Sequence, residues 1–246
     1  MSAVYRNIAE EEFADLSGRI LYEDNHLLVF NKRAGEIVQG DKTEDEPLSE
    51  TLKAFVAARD GKPGRVFMGV PHRLDRPVSG IVIFAKTSKA LERLNEAFRE
   101  GEVHKTYWAL VCEEPARKEA ELKDYLVRNE KQNKSYLYSY PKAGAKEARL
   151  IYKQIAATKR YFLLEVTLLT GRHHQIRAQL AAMGCHIKGD LKYGAPRSNP
   201  DGSISLHARS VNFMHPVKRI PVEVVAPVDW VQLKSESPDK AGAAEE

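Results

Sequence analysis

The chain has 246 residues, 43% hydrophobic and 29% charged, with a formal net charge of +4, the balance of a globular protein with a full-sized core. No window approaches the ~18 consecutive apolar residues that a membrane-spanning helix needs, and the acidic start MSAVYRNIAEEEF has the pattern of neither a secretory signal nor a transit peptide. Cys112 and Cys185 stand far apart and are read as reduced thiols of a cytoplasmic protein.

Residues 1–18 are read as an N-terminal arm, loose through about residue 15. Residues 19–32, RILYEDNHLLVFNK, hold two short apolar runs broken at Asp24-Asn25, a strand pair. In 47–59, Leu48, Leu52 and Phe55 or Val56 fall at helical spacing. The run GIVIFAK, 80–86, reads as a buried strand. Ser88 is placed to cap a helix that ends at Gly101, with Leu91, Leu94, Ala97 and Phe98 facing inward. Residues 103–112 and 119–127 read as strands, and 147–156 with 160–170 as a hairpin rich in β-formers. A helix is expected over 173–183, stopped by Gly184, then late strands over 203–213 and 220–226, and a polar, disordered tail over 233–246. Many strands with a few helices, not strictly alternating, predict an α+β protein whose body spans 19–232.

Charge is unevenly spread along this order. Residues 1–62 carry 8 Lys/Arg against 13 Asp/Glu, whereas 123–192 carry 14 against 5. A polyanion would be attracted to the second region. The other reading is a sheet face merely solvated by its cations.

Three segments concentrate chemistry. PHRLDRPVSG, 71–80, sets Asp75 between two arginines in a Pro-bounded loop before a buried strand, the setting of a catalytic side chain or of an aspartate that only closes a turn. KTYWAL, 105–110, holds adjacent aromatics, which point to opposite faces of a strand; either one packs while the other meets a cleft and stacks on a base, or both are packing residues, the reading this segment alone favours. TGRHHQIR, 170–177, crowds donors at a helix start, a place where free backbone N–H groups bind anions. Adjacent histidines rarely chelate one ion, and there is no HExxH, paired-cysteine, GxxxxGK[ST] or GxGxxG pattern; no metal and no nucleotide cofactor is expected.

Taken together these segments resemble the RluA-type pseudouridine synthases. The family's HRLD, Ser-Gly and apolar strand ending in Ala-Lys stand here as HRLDRPVSGIVIFAK, 72–86. KTYWALV follows at 105–111, GRHHQIR at 171–177 and GCHIKGDLKYG at 184–194, and the resemblance runs over about 19–228. Departures are small: Val78 stands where many members have Thr, Arg33 where Pro often follows Asn-Lys, and His173 at a variable position. Because the similar region begins near residue 19, the extra N-terminal RNA-binding domain of some members is not expected.

The resemblance implies a pseudouridine synthase fold, a mixed and mainly antiparallel sheet flanked by helices and loops. It implies isomerisation of uridine to pseudouridine in ribosomal or transfer RNA, without cofactor or metal, with RNA as partner and no obligate protein partner. Asp75 matches the family's essential aspartate, Arg177 the arginine that pairs with it, and Tyr107 the tyrosine that lies against the base. Arg73 matches a residue that fills the space left by a flipped base, and His72, Arg172, His174 and Gln175 complete the expected RNA-contacting set. Three routes for the aspartate stay open: attack on the sugar, attack on the base, or a glycal intermediate. Two rival readings are a non-catalytic RNA-binding protein on the same fold and a hydrolase that releases the base.

Overall fold

The computed structural model describes residues 5–40 and 44–228, so the expected tail over 233–246 lies outside the described residues. In chain order the elements are α1 (Glu10–Gly18), β1 (Ile20–Glu23), β2 (Leu27–Lys32), α2 (Leu48–Arg59), β3 (Ser79–Ala85), α3 (Ser88–Glu100), β4 (His104–Val111), β5 (Glu119–Asn129), β6 (Lys134–Tyr138), β7 (Lys146–Ala157), β8 (Phe162–Leu168), α4 (Gln175–Ala182), β9 (Leu206–Met214) and β10 (Pro221–Val225). A single 3-10 turn, Leu191–Tyr193, precedes β9.

The strands form one ten-stranded sheet in the order β1-β2-β3-β9-β4-β8-β7-β5-β6, with β10 alongside β9. Among the described strand pairs, β3 with β9 is the parallel one, and it is short: Ser79 faces His207 and Gly80 faces Ala208. Every other pair is antiparallel. The architecture is the α+β, mixed and mainly antiparallel sheet expected from the resemblance.

The central strands are buried on both faces, which explains their continuous apolar runs. Phe30 of β2 and Val82, Ile83 and Phe84 of β3 are fully buried, as are Leu52 and Phe55 of α2. Helix α3 presents Ala90 and Leu94 to this core, with Leu91, Ala97 and Phe98 partly buried against it. Its cap lies one residue earlier than expected: the Thr87 hydroxyl, not Ser88, accepts from the Ala90 N–H at 3.2 Å.

Two stretches differ from expectation. Residues 10–18, read as part of an arm, form α1, whose Leu16 is buried and whose Phe13 ring lies 4.9 Å from Phe55. The acidic first turn, Glu10 to Glu12, suits a helix N-terminus, but two packed apolar side chains across nine residues, Phe13 and Leu16, are too sparse to register as periodicity. Strand β6 was not expected either. It is an edge strand in which only Ser135 is buried, so it lacks the apolar alternation of an internal strand.

Gly80 marks where β3 meets β9. Its φ is +109°, and a Cβ would sit 2.4 Å from the Ala208 carbonyl oxygen. Gly80→Ala is therefore expected to lower stability by at least about 2 kcal/mol, read by urea unfolding. A change within about 0.5 kcal/mol would show that this crossing tolerates a side chain.

Candidate active site

Asp75 lies in the loop over 71–78, whose backbone is held from several sides. Leu74 and Val78 are buried in the core. The Val78 N–H donates to the Asp75 carbonyl at 3.0 Å, Gly35 N–H to the Arg76 carbonyl at 2.8 Å, and Ile204 N–H to the Pro77 carbonyl at 3.1 Å. Beneath the loop the Lys32 ammonium, almost fully buried, donates to the carbonyls of Arg33, Asp75, Arg76 and Val78 at 2.9, 3.4, 3.2 and 2.6 Å. Burial pulls the Lys32 amine down to about 8, which leaves it mostly protonated at neutral pH, with three donors for these carbonyls.

The loop opens into a cleft of about 590 Å³. Its charged lining is Arg73, Arg99, Lys105, Arg172 and Arg177 against one carboxylate, Asp75. The three expected segments meet here although about a hundred residues separate Asp75 from Arg177. The Arg177 guanidinium donates to Asp75 Oδ2 at 3.1 Å, and its other nitrogens grip Asp190 at 2.7 and 2.8 Å. Arg177 and Asp190 are both buried. Burial lowers the Arg177 affinity for its proton, but the bonds to Asp190 and Asp75 outweigh that and raise it. Tyr107, on β4 between β8 and β9, lines the same cleft. Burial first, and the Asp75 charge second, push the Tyr107 phenol upward, so it stays protonated. Trp108 points to the opposite face, where its indole N–H reaches Glu165 at 3.3 Å and Arg209 lies over its ring.

The expected RNA-contacting residues divide. Arg73 is exposed at the cleft, and Arg172 lines it while its Nε donates to the Glu147 carbonyl at 2.8 Å. The other three are engaged inside the protein. Gln175 is buried; its amide oxygen accepts from the Thr170 hydroxyl at 2.8 Å and the Arg172 N–H at 2.9 Å, and its amide nitrogen donates to the Arg149 carbonyl at 3.0 Å. It builds the turn before α4, and it takes up one of the backbone donors that the helix start was expected to offer an anion. His174 is buried in a left-handed conformation, φ 53°, with Nε2 3.3 Å from Asp75 Oδ2 and Nδ1 2.9 Å from the Tyr193 hydroxyl. Burial, then the Arg177 charge, push His174 down to about 2.

His72 lines the cleft wall, but its Nε2 accepts from the Ile83 N–H at 2.9 Å and its ring lies 4.7 Å from Phe98. It satisfies a backbone donor of β3 beyond the short pairing with β9. Burial, and secondarily Lys105, push it down to about 3, and protonation at Nε2 would break that bond. The folded value lies below the ordinary 6.5, so the unfolded chain takes up the proton first. Stability is complete above about pH 6.5 and is lost as pH falls below it. The loss is about 1.4 kcal/mol one pH unit down for each such histidine. The thermal midpoint is expected to drop between about pH 7 and about pH 5.5, and to drop less in His72→Asn. Equal drops would reject His72 as a source.

Sequence reasoning left Lys32, Lys105, Asp190 and Tyr193 without roles, although all four stand in the motifs quoted above. Lys105 was signalled by its place two residues before Tyr107, which puts both on one strand face; it lines the cleft. Among the described residues, no group of three or more His, Cys, Asp or Glu side chains is placed to hold a metal ion. No described helix is long and apolar enough to cross a membrane. Cys112 and Cys185 are free thiols.

The sequence and the sheet that carry this cleft are matched in known proteins. The family described as RNA pseudouridylate synthase matches residues 26–182. The chain is 34% identical to ribosomal large subunit pseudouridine synthase C of Vibrio vulnificus, over 87% of this chain and 67% of that protein. It is 33% identical to tRNA pseudouridine synthase C of Haemophilus ducreyi, over 87% and 93%. Among solved structures, the human RNA pseudouridylate synthase domain containing 4 superposes with a TM-score of 0.75, covering 89% of this chain and 91% of that one at 23% identity, a likeness of fold. The chain belongs to the RNA pseudouridylate synthase family and is of the RluA type. It is an enzyme of RNA uridine isomerisation.

Proposed function

We propose that this enzyme isomerises uridines of ribosomal or transfer RNA in the cytoplasm, with Asp75 as the catalytic carboxylate and residues 19–232 as the catalytic domain. The observation that carries the reading is the Asp75–Arg177 pair in a cleft whose other charged lining is cationic. The bond from ribose C1′ to uracil N1 breaks, the base turns, and a C1′–C5 bond forms. C5 gives up a proton and N1 gains one, so the product is an isomer and needs no co-reactant.

A carboxylate suits this chemistry because it can attack a carbon or steady positive charge on the sugar. Arg177 and His174 both contact Oδ2, and among the described residues Oδ1 accepts no hydrogen bond, so Oδ1 is the oxygen available to the substrate. Tyr107 offers a flat, neutral ring for the base. A stacked uridine must leave its helix, or already lie in a loop, to enter. Arg73, exposed at the rim, takes the vacated space, and Arg172 meets the backbone, where cationic contacts make binding salt-dependent.

The test uses RNA carrying tritium on C5 of uridine. Label is expected to pass to water with no free uracil. Free uracil would favour the hydrolase, and RNA binding without label release would favour the binding protein.

A further inference from the structure

Asp75 is held by a second residue besides Arg177, and that residue is itself held in a particular protonation pattern. We infer that His174 is a positioning residue for Asp75, fixed as the Nε2–H tautomer by the Tyr193 hydroxyl, which is anchored in turn to the backbone of Ser135 on β6. The inference rests on the reading of Asp75 as the catalytic carboxylate.

The geometry leaves one consistent hydrogen pattern. Tyr193 Oη accepts from the Ser135 N–H at 2.8 Å and lies 2.9 Å from His174 Nδ1. A neutral imidazole has one N–H and one acceptor nitrogen. With the proton on Nε2, the ring presents its N–H edge rather than a lone pair to Asp75 Oδ2, 3.3 Å away, and Nδ1 accepts from the tyrosine. With the proton on Nδ1, a ring lone pair would face the carboxylate oxygen across the same 3.3 Å, which is repulsive. The Ser135 carbonyl, the other acceptor near the hydroxyl, is farther off at 3.3 Å. The doubly protonated ring is opposed by burial and by the adjacent Arg177.

The consequence is a carboxylate whose rotation is stopped from two sides. Arg177 and His174 reach the same oxygen, so the carboxylate plane cannot turn without losing both contacts. The Tyr193 ring also receives the Arg177 guanidinium at 5.1 Å from its centroid, so one side chain supports both holders. His173 adds a brace: its ring stacks on His174 at 3.8 Å, and Ser135 Oγ donates to its carbonyl at 2.6 Å. The half-exposed hairpin of β5 and β6 is thereby tied to the catalytic loop by side chains that need not touch RNA.

The test combines a spectroscopic readout with kinetics. In protein labelled with nitrogen-15 at histidine, the His174 signals are expected to show a protonated Nε2 and an unprotonated Nδ1; in Tyr193→Phe the two forms are expected to mix. Steady-state kcat is expected to fall about 10- to 100-fold in His174→Leu, with KM changed less than about 2-fold, and His174→Gln, which returns a donor near the Nε2 position, is expected to recover part of the loss. A proton on Nδ1 in the wild-type enzyme would overturn the inference, and so would an unchanged kcat in His174→Leu. The tautomer is measured on the wild-type protein, so it decides the matter even if a variant does not fold. An active Asp75→Asn would instead remove the underlying reading of Asp75. An inactive Asp75→Asn beside a fully active His174→Leu would remove only the positioning role.

Discussion

Asp75→Asn is expected to abolish pseudouridine formation, by at least about 10⁴-fold, while leaving fold and RNA binding near normal. The substitution keeps the shape of the side chain and removes its charge. The loop does not depend on that charge: Leu74 and Val78 anchor it in the core, and Lys32 bonds its carbonyls rather than the carboxylate. RNA binding is expected to hold or tighten slightly, because the one anion in the cleft lining is gone. Product would be measured by mass spectrometry of digested RNA, and affinity at two salt concentrations. Pseudouridine formed at more than about a thousandth of the wild-type rate would falsify the catalytic assignment.

The second large effect is on stability. Asp190→Ala removes the carboxylate that grips Arg177 through two bonds. Both side chains are almost fully enclosed, 5% and 2% exposed. Removing one partner of such a pair typically costs about 3–5 kcal/mol, because the remaining charge stays buried without its counterpart. Arg177 keeps Asp75, which places the expected loss near the lower end, about 3 kcal/mol. That figure is the cost of stranding the arginine, not the worth of the pair. Turnover should fall as well, since Arg177 would be free to move toward Asp75 and carry the carboxylate with it. Urea unfolding supplies the stability, and a loss under about 1 kcal/mol would mean that water or a moved side chain replaces Asp190.

Much of this was legible in the sequence. The central strands and helices α2 and α3 announced themselves through apolar runs, helical spacing and Gly101. Asp75, Tyr107 and Arg177 each stood in a segment with unusual chemistry, and the resemblance put them together. Pairing was not legible. Nothing local in the sequence says that Lys32 bonds carbonyls more than forty residues away, or that Asp190 rather than solvent meets Arg177. Direction was also hidden. Gln175 and His174 sit in a donor-rich motif, which reads as a surface for an anion, yet the left-handed turn at His174 sends both inward. Helix α1 and strand β6 share a third cause: each buries too little apolar surface to leave a pattern.

The short parallel contact of β3 with β9 sets an order on synthesis. Strands β1 to β3 carry the Asp75 loop, strands β4 to β8 carry Tyr107 and the Arg177 segment follows, and β9 lies between the two groups. Ser79 meets its partner His207 only across 128 residues of chain, a closure that is slow compared with local pairing. A nascent chain halted before β9 would hold both parts of the site on strand groups with no strand joining them. Activity is therefore expected only once β9 has been made, and products truncated before it are expected to carry apolar strand edges but no activity.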